Sequence, residues 1–525
     1  MRRARIPAIA ELMGVVAFLT AGLVVGAVDH GSAQTAPKRG GTIRIAQAAH
    51  PPSLDDHVTN ALAAKHATFH MYEGLVTRGE AGAVIPGLAE SYRVSADGST
   101  YTFALRRGVR FHNGKELTSA DVKASYERYK RVSPRRAILN PVTAIETPDR
   151  HTVVLRVASP QPLLIEALSQ QIVPLSIYPA EDRDTEPNKN SRVGTGPYRL
   201  GEWIADRHII LERFADYAPD PKAKGTDGYG GRKDGLLDRV VIRFIPEPSA
   251  MVAAVETGEI DVAETVPNRS AETLGRNRDL RVLKIAPAQQ HMVYVNPSKP
   301  PFDKLDVRRA VQVALDVKEI MSIAHDDNYT LNPGLMWPGY PSYTAAGKEF
   351  YGVNDRIRAK DLLRRAGYQG EEIIMATSSD YKWMVDGATV MAEQLRAIGM
   401  TVKIVVGDWP SHVKLRGQKD GWHFSHSGKF FNQWIDSPAG YLQEWVGEKP
   451  AHFYTDPTLQ DLFKQMTTQP TFEQRKAAFE KAQQRFFEQV HALTLGDRGE
   501  TQVVRARVQG FKPSVTMRFW NVWLQ

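Results

Sequence analysis

The side chains of this chain that could do chemistry fall into three groups: two histidines, His423 and His426; a glycine-rich run, GTDGYGGRKDG, from Gly225 to Gly235; and four neighbouring tryptophans, Trp383, Trp409, Trp422 and Trp434. Imidazole can hold a metal or a polar ligand, glycine-rich backbone can cradle phosphate, and indole faces can enclose nonpolar surface. Each group also has a plainer reading. Residues three apart on a strand face opposite sides, and no Asp, Glu or Cys cluster joins the histidines. His426 is therefore a better candidate for a hydrogen-bonding pocket residue than for a metal ligand. Phosphate binding needs a helix N-terminus after the glycines, whereas Leu237 to Ile245 (LDRVVIRFI) reads as a strand. The tryptophans suit either a pocket wall or a core. Covalent catalysis lacks its signatures: HExxH, GxSxG and GxxxxGK[ST] are absent, there is no cysteine, and no carboxylate pair stands out. The expectation is a protein that binds and does not catalyse, with no cofactor and no bound metal.

The elements that must position these residues are legible in part. From Tyr72 to Arg128 the chain lays down a hairpin and then a capped helix. Tyr101, Phe103 and Leu105 alternate with smaller or polar neighbours as a half-buried strand does, Asp97-Gly98 supplies the preceding turn, and Asn113-Gly114 supplies a second. Thr118 can then cap a helix whose apolar face is Val122, Tyr126 and Tyr129, with Asp121 where a carboxylate favours the helix N-terminus. Further on, strand 237 to 245, a helix from Ser249 to Thr257 stopped by Gly258, and strand Ile260 to Ala263 form a β-α-β unit, which favours parallel pairing.

A second such series starts after Pro287. It contains strand His291 to Val295, a helix capped by Asp303 with Val307, Ala310, Val311, Ala314 and Leu315 on one face, and a helix over 359–366 ending at Gly367. Strand Glu372 to Thr377, helix Asp386 to Ile398 stopped by Gly399, and strand Thr401 to Val405 continue the alternation. A late helix from Phe472 to about Val490 points Phe479, Ala482 and Phe486 inward and leads to a C-terminal segment, Gln502 to Trp523.

At 525 residues the chain exceeds what one hydrophobic core supports, so two or more lobes are expected. A basic start, an uncharged apolar run from Leu12 to Val28 and small residues at Gly31 and Ala33 read as a secretory signal peptide cleaved after Ala33, with an uncleaved membrane anchor as the alternative. Its removal takes one unit from the formal net charge of +8. Lys and Arg are spread among Asp and Glu with no long basic run and no base-reading motif, so nucleic acid is not an expected partner. The absence of cysteine excludes disulfides and the thiol that carries a bacterial lipoprotein's lipid.

The Tyr72 block resembles the dipeptide-, oligopeptide- and nickel-binding family (family 5) of bacterial periplasmic solute-binding proteins, the extracytoplasmic receptors of ABC importers. The likeness spans nearly the whole mature chain. It recurs in GGTIRIA at Gly40, SLDDH at Ser53, GTGPYRL at Gly194, TGEIDVAE at Thr257, VRRAVQVALD at Val307, AKDLLRRAGY at Ala359 and MAEQLRAIGMTVKI at Met391, and their order carries the assignment. The resemblance implies an α/β, two-lobe periplasmic-binding-protein fold of type II, with a two-stranded hinge and an extra subdomain in the first lobe. It divides the chain into signal peptide 1–33, lobe I 34–77, extra subdomain 78–189, lobe I again 190–288, lobe II 289–494 and a last lobe I segment 495–525, with crossovers near Ala286 to His291 and Leu493 to Gly499.

The resemblance further implies a monomeric periplasmic protein that closes on a small-molecule or peptide ligand and delivers it to membrane permease subunits. A receptor for nickel or a metal chelate, and a chaperone-like or protein-interaction role, remain as alternatives. Peptide-binding members pair the ligand's amino terminus with an aspartate in a Gly-Trp-x-Gly-Asp segment; matched outward from Gly417, this chain reads Ser425-His426-Ser427-Gly428-Lys429 there. Lys382 falls beside the position of the carboxylate-binding arginine, and Trp409 where the family sets a tryptophan over the ligand. The implied pocket is Tyr381, Lys382, Trp383, Trp409, Ser425, His426, Lys429 and Trp434. With Lys382 and Lys429 in it, the expected ligand is peptide-like or an anionic conjugate.

Overall fold

The computed structural model describes residues 36–431, 437–446 and 450–525; the signal-peptide segment 1–33 and Trp434 lie outside the described residues. Residues Lys38–Gln525 form one compact unit. Its organising element is a pair of long strands, Leu280–Val295 and Ala492–Arg505, which run antiparallel from the pair Leu280 and Arg505 to the pair Tyr294 and Ala492. Their register shifts between Ile285 and Gln289, a break that brackets Pro287, which has no N–H to give to the ladder. On one side of the break Ala492–Arg505 pairs with Val262–Ala263, and the sheet continues through Thr42–Gln47, Arg239–Phe244, His208–Arg213 and Tyr198–Ile204. On the other side Leu280–Val295 pairs with Phe424–Phe430, followed by Glu372–Ser378 and Thr401–Gly407. One eleven-stranded sheet therefore belongs to two lobes that share two strands, and each half has its own buried core.

The β-α-β reading holds in the first lobe. Arg239–Phe244 and Val262–Ala263 both pair parallel with Thr42–Gln47, one on each side, and helix Pro248–Thr257 between them ends at Gly258, whose φ of +80° suits glycine. The second lobe repeats the unit with Glu372–Ser378, helix Lys382–Arg396 and Thr401–Gly407. Two expectations are corrected here. That helix begins at Lys382, a turn before Asp386, and the cap of helix Leu305–Ala314 is Lys304, not Asp303, with no side-chain cap bond. The backbone carbonyls of Phe302 and Asp303 are instead taken by the Arg308 guanidinium.

The extra subdomain is a four-stranded antiparallel sheet in the order Ala89–Val94, Thr100–Leu105, Thr152–Val157, Val142–Asp149, crossed by helix Ser119–Val132. Thr118 and Asp121 form a reciprocal capping box, and Val122, Tyr126 and Tyr129 are buried in the subdomain core with Phe103 and Leu155. The same helix buries a polar side. Arg128 reaches the SLDDH segment and grips Asp55 with two bonds, 3.1 Å from Nη1 and 2.6 Å from Nη2, and neither side chain is exposed. Burial alone would raise the Asp55 pKa, but the hydrogen bonds and charge of Arg128 outweigh it and hold the carboxyl below its usual range.

This pair fastens the subdomain to the first lobe. Removing one partner strands the other charge, so Arg128→Ala should cost about 3–5 kcal/mol in urea or thermal unfolding. The Asp55 contribution is present above its unfolded pKa near 4 and lost as pH falls through the lower folded value, so the variant should also show a shallower acid-side loss of stability. An unchanged melting curve would show that the subdomain is held elsewhere.

Candidate ligand-binding cleft

Glu372–Ser378 runs parallel to both Thr401–Gly407 and Phe424–Phe430, so all three strands release their carboxyl ends at one edge of the second lobe. Ala492–Arg505 is antiparallel to the neighbour of Phe424–Phe430 and brings Arg498 out at that edge as well. In open α/β sheets this edge is where ligands bind, because the loops leaving the strands can present side chains without disturbing the ladder. Tyr381 caps helix Lys382–Arg396 just past the first strand, and Trp409 opens helix Trp409–Arg416 just past the second. The two loops are tied together: the Trp409 N–H donates to Asp380 Oδ2 at 2.9 Å, and Asp408 caps its own helix by accepting from the Ser411 N–H.

Three of the four aromatic residues expected in the pocket, Tyr381, Trp383 and Trp409, lie together, and the fourth, Trp434, is outside the described residues. Tyr381 meets Trp409 edge-on with ring centroids 5.3 Å apart, and Trp383 lies 6.2 Å from Tyr381. The Arg498 guanidinium sits over the Trp383 ring at 5.7 Å, held by Gln289 at 2.7 Å and Glu500 at 2.6 Å. Arg498 was not among the residues anticipated from sequence. Its signal was the polar run Asp497-Arg498-Gly499-Glu500 inside a strand that is otherwise largely apolar. Near the crossovers, a cavity of about 220 Å³ opens between Tyr229, Ala286, Pro287 and Val515 on one side and Tyr340 and Phe431 of the second lobe on the other.

The polar residues are placed differently. Ser425 is buried and bonded to His412 Nε2 at 3.1 Å. His426 is buried in a file of three imidazoles: His426 Nδ1 meets His291 Nε2 at 3.1 Å, and His291 Nδ1 meets His325 Nε2 at 3.1 Å. Burial pushes His426 and His325 down to about 3 and holds His291 well below the ordinary imidazole value, so all three are neutral at ordinary pH. The rings form a line and do not converge on a point, and among the described residues no group of three or more His, Cys, Asp or Glu could hold a metal ion. His423 is structural, bonded to Ile374 N and Pro300 O, and Trp422 belongs to the core.

Both lysines carry a counter-charge. The Lys429 side chain is only 4% exposed and lies 2.5 Å from Glu444 Oε1, over the rings of Tyr441 and Trp445. Burial lowers its pKa, and Glu444 opposes that shift by supplying the counter-charge a buried ammonium requires. Lys382 is 85% exposed and pairs with Asp386 one turn along its helix. Neither lysine brings an uncompensated charge to the cleft.

With this geometry in place, comparison with known proteins identifies the class as that of the solute-binding proteins that serve ABC importers. The family model for bacterial extracellular solute-binding proteins, family 5 Middle, matches residues 83–452, and the chain belongs to that family. A probable peptide ABC transporter periplasmic-binding protein of Sinorhizobium fredii is 25% identical, over 96% of this chain and 97% of its own length. The glutathione-binding protein GsiB of Salmonella choleraesuis is 26% identical over 77% of this chain and 78% of its own. Among solved structures, DppA from Helicobacter pylori in complex with peptide STSA superposes with a TM-score of 0.75 at 26% identity, covering 93% of this chain and 98% of its own. The periplasmic binding protein AgaA from A. tumefaciens R10 in complex with agropinic acid gives 0.73 at 26%, covering 92% and 99%.

Asp497, the neighbour of Arg498 on the crossover strand, is buried and accepts from Trp337 Nε1 at 3.0 Å, and burial pushes its pKa up to about 7. A raised folded-state pKa contributes stability that is full below the unfolded value of 3.8 and is lost as pH rises through about 7. Unfolding followed from pH 5 to pH 8 should show this loss. Asp497→Asn should flatten the trend and be more stable than the parent at pH 8 by on the order of 2 kcal/mol. Parallel pH profiles for the two proteins would contradict the assignment.

Proposed function

We propose that the mature protein, freed of residues 1–33 and carrying no lipid, is a periplasmic receptor. It captures one small peptide-like, carboxylated solute between its lobes and delivers it, chemically unaltered, to the permease subunits of an ABC importer. The observation that carries this reading is the convergence of Tyr381, Trp383, Trp409 and Arg498 at the carboxyl edge of the parallel strands, beside the two crossovers. Lobe boundaries near residues 288 and 494 follow from the same crossovers, where two strands can flex while the cores on either side stay intact. A solute held by both lobes stabilises the closed arrangement by its differential affinity for it.

Arg498 replaces the two lysines as the cation for a ligand carboxylate, which would exchange with Glu500 on the guanidinium. The ligands named for the relatives at 25–26% identity, namely peptide, glutathione, peptide STSA and agropinic acid, support this class.

Calorimetric titration of purified protein with peptides, peptide amides and opine-like acids should give a single site, and small-angle scattering should show compaction on binding. Trp409→Ala should raise Kd about tenfold, close to 1.4 kcal/mol, through the lost aromatic face. Arg498→Ala should weaken carboxylates more than the matching amides. Equal losses for acid and amide would remove Arg498 from the site, and absence of binding by every class would remove the receptor reading.

A further inference from the structure

The cavity of about 220 Å³ at the crossovers carries charge that the receptor reading leaves unused. Three charged residues border it, Glu80, Lys284 and Arg518, so one negative charge stands against two positive ones. Much of the remaining wall is apolar or aromatic, from Tyr229, Pro287, Val515, Tyr340 and Phe431. Low-dielectric walls around charge of one net sign focus its field, and here the field favours an anion.

The glycine-rich run Gly225 to Gly235 shapes this side of the cavity. Gly228 packs so closely on the hairpin tip that a Cβ there would lie 2.4 Å from the Gly79 carbonyl carbon, and its φ of +56° also suits glycine. The approach sets the Tyr229 ring against the Arg518 guanidinium, 5.4 Å from its centroid, and lets Asp227 Oδ1 accept from the Glu80 N–H at 2.7 Å. The guanidinium and the Glu80 main chain are therefore each held by contacts other than their own ion pair.

That ion pair is the loose part of the arrangement. Arg518 reaches Glu80 at 3.2 Å from Nη1 and 3.4 Å from Nη2, at and beyond the long end of the hydrogen-bond range. The arginine side chain is only 10% exposed, whereas the glutamate is 61% exposed. Burial alone would raise the Glu80 pKa, but the charge and hydrogen bonds of Arg518 and the charge of Lys512 outweigh it and hold the carboxyl below its usual range. An exposed carboxylate on a sheltered guanidinium is weakly held, and the same fork can take an incoming carboxylate through two parallel bonds. The strand that borders the cavity at Ala286 and Pro287 reaches Gln289 two residues later, and Gln289 holds Arg498. The cavity thus adjoins the first carboxylate anchor.

We propose that Arg518 is a second carboxylate anchor, with Glu80 as the built-in competitor that a ligand displaces, so that the solute carries two acidic groups: one for Arg498 and one for the crossover cavity. The inference rests on the receptor reading above and narrows its ligand class to diacids, either peptides with an acidic side chain or opine-like acids.

The test is calorimetric titration of the purified protein with two matched pairs of probes. One pair is the peptides Ala-Glu and Ala-Gln; the other is N-carboxyethyl-glutamate and N-carboxyethyl-glutamine. In the parent, the glutamate member of one pair should bind about tenfold tighter than its amide, and the pair that shows this identifies the source of the second carboxylate. Arg518→Ala should weaken that glutamate member about tenfold and the glutamine member far less. Glu80→Ala should act in the opposite direction and tighten the glutamate member about threefold, because the competitor is gone. Glu80 is exposed, so that variant remains informative if Arg518→Ala does not fold. Equal binding of acid and amide in both pairs, a preference that survives Arg518→Ala, or a Glu80→Ala variant that fails to gain affinity for the acid overturns the second anchor and leaves the receptor intact. Absence of binding by all four probes overturns the anchor together with the carboxylated-solute reading.

Discussion

The antiparallel pairing of Leu280–Val295 with Ala492–Arg505 is the constraint on which the rest of the molecule depends. Two lobes with separate cores can share a sheet only if a strand pair crosses between them, and a ladder that were continuous would make the sheet one stiff plate. Pro287 and the register shift that brackets it remove that continuity at the crossover. The cleft side chains inherit their positions from this arrangement. Arg498 stands within a crossover strand, paired opposite Gln289, and the aromatic residues follow strands paired outward from the other.

Several buried charges have a counter-charge built in: Arg128 with Asp55, Lys65 with Asp56, Lys233 with Glu73, Lys429 with Glu444. Arg308 is instead met by the backbone carbonyls of Gln489, Phe302 and Asp303. The imidazoles of His426 and His291 lose their charge through burial. An ammonium buried as deeply as that of Lys429 is tolerated because Glu444 compensates it.

The legible parts of the fold were those fixed by neighbours in the chain. Thr118 and Asp121 announce their capping box three residues apart, and Gly258 and Gly367 mark helix ends at positive φ. The second lobe was readable in part: strand Glu372–Ser378, helix Lys382–Arg396 and strand Thr401–Gly407 had the apolar period of their elements, whereas helices Val317–His325, Pro438–Val446 and Pro457–Thr468 were not anticipated. What failed depended on tertiary partners. Lys382 to Val385 carries no capping signal, so the helix start was placed too late. Glu444 lies fifteen residues beyond Lys429 in sequence, and nothing local says that its helix folds back over the strand. Arg498 was passed over for a similar reason: it is a charge in a strand, and only the crossover explains why it can stand at an opening.

The file of imidazoles behind Trp383 has a directional property. A neutral ring donates from one nitrogen and accepts at the other, so three rings in line must all point their hydrogens the same way. The buried Nε2 of His426 has no partner, which is less costly for a lone pair than for an N–H. The hydrogens therefore run from His426 through His291 towards His325, and turning one ring over would oblige the other two to follow. The backbone carbonyl of His325 accepts from Asn268 of the opposite lobe, so the orientation of a tautomer behind Trp383 and the contact between the lobes meet in a single residue.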